Sequence, residues 1–294
     1  MRNAFMDELV IAARENPQVA LIVGDLGYSV IEPFADEFPD RFINAGVAEQ
    51  NMTGLAAGMA SEGYHVFTYS IANFPTFRCA EQIRNDVDYH KLPVTVVSVG
   101  GGLTYGALGY SHHAVQDYAL MRTFPNMLIA APGDPMEVRA CMRYLIANPG
   151  PSYLRLGKAG EPNFHSAPPE VAPGRWLKVR EANDTQVLLS TGAGLQIAMD
   201  WTGRQEYADR SVYSMPLWCM AAKADQADQL RDHEDVVTVE DHLYDGGFGS
   251  WLLEAVANHD GLADKVKIKA LKSEVCGMVG SQAELNKVGG MFLK

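Results

Sequence analysis

The stretch Ala45-Gly46-Val47-Ala48-Glu49-Gln50-Asn51-Met52 decides how the rest of the chain is read. A strand-like run, Arg41 to Asn44, enters it. The helix that leaves it carries Gly54, Ala57, Gly58 and Ala60, small residues spaced to let another backbone approach closely. Glu49 thus stands at a strand-to-helix junction between apolar neighbours. Two readings are open for it: a helix-terminal acid that stabilises the macrodipole, or a buried acid whose partner is a ligand.

Outward from this junction the chain alternates between two periods. On the N-terminal side, an amphipathic helix over Met1 to Glu15 stops at Asn16-Pro17, and Val19 to Gly24 reads as a fully buried strand. A turn at Asp25 to Ser29 and a short helix begun by Pro33 follow. On the C-terminal side come a strand at His65 to Tyr69 and a helix opening at Asn73 with Pro75 in its first turn. Val94 to Val99 is a β-branched run, the pattern of a strand covered on both faces. A glycine-rich loop, Gly100 to Gly109, leads to a helix through Tyr118 and Met121. Strand Met127 to Ala131 precedes the helix start Asp134-Pro135-Met136-Glu137. This alternation predicts a doubly wound α/β fold with a mostly parallel sheet. Composition shifts to Pro, Gly, Ala and Asn between about Gly157 and Gly174. Beyond it, Val187 to Ser190, Ser211 to Met215, Val236 to Glu240 and Val266 to Ala270 are the strands of a smaller α/β domain. The expected boundaries are 1–160, a linker at 161–178, and 179–294.

Composition narrows the function. A length of 294 residues with 47% apolar and 20% charged residues is that of a soluble globular chain with room for two cores. A formal charge of −12 argues against nucleic acid or an anionic membrane as partner. No apolar run approaches a bilayer span, and the acidic, amphipathic N-terminus is unlike a signal peptide, so a cytoplasmic location is expected. Cys79, Cys141, Cys219 and Cys276 are far apart and form no Cys-x-x-Cys pair, so neither a disulfide framework nor a zinc site is expected. His112 and His113 are adjacent and would point apart, so no metal site is expected from this chain. Gly100-Gly101-Gly102 lacks the Lys-Ser/Thr of a phosphate loop. Thr191-Gly192-Ala193-Gly194 lacks the third glycine of a dinucleotide fingerprint and reads equally as a tight turn.

Gly46-Val47-Ala48-Glu49 and its small-residue helix resemble the pyrimidine-binding segment of thiamine diphosphate enzymes of the transketolase family. Phe74 and Phe77, with Tyr69 at the end of the preceding strand, fall where family aromatics enclose the aminopyrimidine ring; on composition alone they would be core. Gly109-Tyr110-Ser111-His112 matches a Gly-x-[Thr/Ser]-His segment whose histidine reaches the substrate, although a loop histidine bonded to backbone is the alternative. Ala119 to Met127, Pro151 to Lys158, Val237 to Asp241 and Gly246 to Ser250 also follow the family. The resemblance spans nearly the whole chain and is greatest to the C-terminal subunit of split transketolases.

That resemblance implies a pyrimidine-binding fold followed by a transketolase C-terminal domain. It implies transfer of a two-carbon ketol unit from a ketose to an aldose, with thiamine diphosphate as cofactor. Glu49 would bond the ring nitrogen N1′ and favour the imino tautomer. Phe74, Phe77, Tyr69 and Asp25 would lie around the cofactor. His112, His113, Ser29, Lys158 and Leu108 would face the substrate, with His112 on the donor's oxygens. No Gly-Asp-Gly, the start of the family's diphosphate and metal motif, occurs in the chain. A partner subunit is therefore expected to hold the diphosphate and a Mg²⁺ or Ca²⁺ ion, in an α2β2 assembly. Three alternatives stay open: a beta-type subunit of a 2-oxo-acid decarboxylating enzyme, a deoxyxylulose-phosphate-synthase-like enzyme, and a non-catalytic interaction subunit. Two departures from ordinary transketolases bear on substrate. Leu108 stands where they carry a sugar-bonding aspartate, and Gly100 or its neighbour where they carry a phosphate-binding histidine. With Tyr105 and Tyr110 added to the loop, a substrate unlike the pentose phosphates is expected.

Overall fold

The buried β-branched runs build one large sheet and one small one. The computed structural model describes residues 1–292. Its strands are β1 (Val19–Val23), β2 (Phe42–Asn44), β3 (His65–Ile71), β4 (Val94–Val99), β5 (Leu128–Ala130), β6 (Ser152–Leu156), β7 (Leu177–Arg180), β8 (Asn183–Ser190), β9 (Arg210–Ser214), β10 (Leu217–Trp218), β11 (Asp235–Leu243) and β12 (Val266–Leu271). The first sheet has seven strands in the order β10-β5-β6-β4-β3-β1-β2, all parallel except β10. The second has five, β12-β11-β8-β9-β7, parallel except for β7.

Every residue of β1, β4 and β6 is buried, as strands sandwiched between helix layers must be. Helices Arg2–Glu15 and Pro135–Ala147 cover one face with Phe5, Leu9, Val138 and Leu145. Buried Glu8 ties these two helices together by accepting from Arg139 and Arg143. Helix Glu49–Ser61 covers the other face through Met52, Ala56 and Ala60.

Two expectations change. The segment after Asn73 is not a regular helix: residues 73–76 turn, Phe77–Cys79 is a 3₁₀ turn, and Ala80–Gln82 continues into a π-helical Ile83–Asp88. Phe74 and Phe77 therefore do not share a helical face. Strands β6, β7 and β10 also went unforeseen as strands, and β10, from the C-terminal half, pairs antiparallel with β5 of the first sheet.

The junction between the sheets is polar and buried. Arg155 on β6 donates through Nε to Asp117 Oδ2 (2.7 Å) and through Nη1 to Asp241 Oδ1 (2.6 Å), all three buried. Tyr153 donates its hydroxyl to the same Asp117 oxygen at 2.6 Å. Neighbouring Glu240 accepts from the amides of Phe248 (2.6 Å) and Gly249 (2.9 Å), capping helix Phe248–Val256. These account physically for Pro151 to Lys158, Val237 to Asp241 and Gly246 to Ser250.

Candidate active site

The carboxyl ends of β1, β2, β3, β4 and β6 lie along one rim of the sheet, where parallel α/β folds place their ligands. At β1 the chain enters Gly24, then Asp25 and Ser29, both with positive φ (55° and 68°), which non-glycine residues seldom adopt. Asn44, ending β2, clamps this turn to the next loop. Its Oδ1 accepts from the amides of Asp25 (3.2 Å) and Gly46 (3.0 Å), and its Nδ2 donates to Asp25 Oδ1 (3.0 Å). Asn44 and the Tyr28 hydroxyl hold the Asp25 carboxyl below its usual range. Ser29 turns its amide to Glu32 Oε1 at 2.7 Å and is exposed.

The clamp sets Glu49 at the first turn of its helix, 1% exposed. A Cβ on Gly24 would sit 3.6 Å from Glu49 Cγ, ordinary van der Waals contact, so the end of β1 lies directly beside the Glu49 side chain. Glu49 is not the acid partnered by a ligand alone that its place in the sequence suggests: Oε2 accepts from Arg78 Nη1 at 2.7 Å. Oε1 accepts from none of the described residues, leaving room for one donor from a ligand. The Arg78 guanidinium also lies 4.8 Å from the Phe74 ring centroid. Phe74 meets the His112 ring edge-on at 5.2 Å. His112 in turn stands 6.5 Å from Tyr105, whose centroid is 5.6 Å from Lys158 Nζ. Arg2 Nε donates to the Lys158 carbonyl. Arg2 and Lys158 line a hollow of about 280 Å³ and form no ion pair among the described residues. Glu49, Arg78, Phe74, His112, Tyr105, Lys158 and Arg2 thus form one unbroken line: acid, aromatic slot, imidazole, cations.

Burial and the neighbouring His113 depress the His112 pKa, which favours the neutral ring, and Nδ1 pairs with the Ser111 hydroxyl at 3.0 Å, leaving Nε2 for a ligand. His113 is buried, with Nε2 3.3 Å from the Gly106 carbonyl, so it supports the loop from within. Tyr69 stacks on Phe5 at 5.8 Å, on the face of β3 opposite the one that Ser70 shares with Glu49. The expectation that Tyr69 joins the aromatic slot is therefore corrected: side chains alternate along a strand, and this one points the other way. Phe77 and Leu108 are 47% and 57% exposed, so neither is enclosed by this chain. Arg78, Arg2 and Asn73 were missed as site residues; each acts through a partner distant in sequence, so no local motif announces it.

Among the described residues no three His, Cys, Asp or Glu side chains converge on a metal position. Thiamine diphosphate fits in part: an acid with one open oxygen beside an aromatic ring suits its aminopyrimidine, whereas nothing along the rim offers a diphosphate cradle.

The model of the transketolase pyrimidine-binding domain matches residues 1–160. The chain is 29% identical to one of the subunits of the apulose-4-phosphate transketolase of Actinobacillus succinogenes, over 99% of this chain and 94% of that one. It is 32% identical to a putative transketolase C-terminal section of Methanocaldococcus jannaschii, over 99% of this chain and 92% of the other. Among solved structures it resembles a split gene transketolase, an inactive beta4 tetramer, at 31% identity and TM-score 0.83, covering 98% of this chain and 92% of that one. The chain belongs to the transketolase family and is built like the C-terminal subunit of a split transketolase.

Proposed function

We infer that the chain is the pyrimidine-binding half of a two-subunit, thiamine-diphosphate-dependent enzyme that moves a ketol unit from a ketose to an aldose. The observation that carries this reading is the unbroken line from Glu49 to Arg2. The cofactor, when bound, supplies the nucleophilic carbon. Glu49 holds a ring N–H at its open oxygen and fixes the ring's protonation. Phe74 and Phe77 bound the ring, and Phe77 and the exposed face of helix Glu49–Ser61, with Gly54 and Gly58 open, await a neighbouring subunit. Neutral His112 hydrogen-bonds the substrate oxygens. Arg2 and Lys158 attract an anionic far end, with Ser29 and Asp25 at the adjoining turn. The diphosphate and its Mg²⁺ or Ca²⁺ belong to the partner subunit, in an α2β2 complex.

The test compares the full chain alone and with its diphosphate-binding subunit, supplied with thiamine diphosphate, Mg²⁺, ketoses and aldoses. We expect turnover only in the complex, and a loss of about 10²–10⁴ in kcat for Glu49→Gln. Robust turnover by the chain alone, release of CO₂ from pyruvate in place of ketol transfer, or an active Glu49→Gln variant would overturn the reading.

A further inference from the structure

The loop that carries His112 is held in place within the chain. Gly102 and Ala114 exchange both backbone hydrogen bonds at 2.9 Å, closing its base. Asn73 Nδ2 donates to the carbonyls of His113 (2.6 Å) and Ser111 (3.3 Å), stapling it to the end of β3. Its far side rests on the C-terminal domain. There the Gly280 amide donates to the Gly106 carbonyl at 3.3 Å, and a Cβ on Gly106 would lie 2.6 Å from Leu285 Cδ1.

One side chain of this fixed loop lies across the rim between the imidazole and the cations. Tyr105 lays its ring on the Cα of Gly100, at the end of β4. A Cβ on Gly100 would be 2.1 Å from Tyr105 Cε2 and 2.4 Å from Cδ2, and Gly100 has φ +84°. No side chain at position 100 is compatible with the ring there, so Gly100 and Tyr105 act as one unit. The ring is half-buried, with Lys158 Nζ over it at 5.6 Å from its centroid and the His112 ring edge-on at 6.5 Å.

We propose that Tyr105, seated on Gly100, is a specificity-determining residue that selects substrates whose carbon chain is poor in hydroxyls between the carbonyl end and the anionic end. This deepens the ketol-transfer reading and rests on it for the reaction, but the selection itself acts on binding. C–H groups pack against an aromatic face, whereas a hydroxyl pressed there loses its water without gaining a partner. A hydrophobic surface of this kind discriminates by about ten- to a hundredfold.

Binding of 2-deoxyribose 5-phosphate and ribose 5-phosphate to the two-subunit complex, measured by calorimetry, tests it without turnover. We expect the deoxy sugar to bind at least about tenfold more tightly. Tyr105→Phe should keep that ratio, because the ring face remains, and Tyr105→Ala should reduce it to within about twofold. Equal affinities in the unaltered complex, or a preference that survives Tyr105→Ala, would overturn the proposal. If the preference is present and removed by Tyr105→Ala while no ketose and aldose pair is turned over, ketol transfer fails and the role of Tyr105 stands.

Discussion

At Glu49 the sequence locates a carboxylate and the structure changes its state. Gly46-Val47-Ala48-Glu49 marks the junction, but the cation on its Oε2 comes from Arg78, 29 residues later. A buried carboxylate without a counterion is costly, while a partner 46% exposed is screened by water. Arg78→Ala is therefore expected to destabilise the chain by about 1–2 kcal/mol. In a Glu49→Gln background the same change should cost about 0.5–1 kcal/mol less, because the charge it served is gone. Urea denaturation of the four chains measures the coupling; strictly additive losses would show that the ion pair contributes nothing. His112 was legible because it sits in a short motif. Its neutrality was not, since that depends on the burial that folding creates.

Among the elements, helix Pro135–Ala147 shows how a capping signature acquires a second use. Asp134 caps it by accepting from the Glu137 amide at 2.7 Å, as Asp134-Pro135-Met136-Glu137 foretold. Its other oxygen takes the amides of Phe164 (2.7 Å) and His165 (2.9 Å) and faces His165 Nδ1 (3.1 Å), anchoring the segment between the domains. Glu137 is fully buried. Its Oε2 accepts from the Gly133 amide (2.6 Å) and the Ser214 hydroxyl (3.0 Å), while Oε1 accepts no hydrogen bond and lies 3.9 Å from His165 Nδ1. Burial, opposed by the Gly133 amide, pushes its pKa up to about 7 from the ordinary 4.5. The folded chain thus binds a proton that the unfolded chain has lost, and this group's contribution to stability falls as pH rises from about 4.5 to about 7. Glu137→Gln keeps the shape and removes the titration. Its unfolding free energy, measured against the unaltered chain, should improve between pH 5 and pH 8. A difference that stays flat over that range would mean that Glu137 is ionised throughout.

For the whole molecule, the decisive group is Arg155. It stands on the first sheet yet bonds Asp117 from its own domain and Asp241 from the next, with its side chain 2% exposed. Removing it strands two buried carboxylates, so Arg155→Ala should cost about 3–5 kcal/mol. Asp241→Asn, which leaves the Arg155–Asp117 pair whole, should cost less. Denaturant midpoints would check both, and a small loss for Arg155→Ala would show that water reaches the junction. The β10 crossover works with this cluster: Trp218 is buried among Tyr118, Phe248 and Trp251, residues of both halves.

The sequence by itself determined the α/β alternation, the β-branched strands of both sheets, the family, and the positions of Glu49 and His112. Each of these is written in neighbouring residues, as a period, a cap or a short motif. Only the tertiary structure decided that Tyr69 turns away from Glu49, that Phe74 and Phe77 leave the helical register, and that Leu217–Trp218 completes the neighbouring sheet. It alone paired Glu49 with Arg78 and laid Tyr105 on Gly100. The reason is that a side chain's direction and its partners follow from how elements and loops pack, which no local period, cap or short motif specifies.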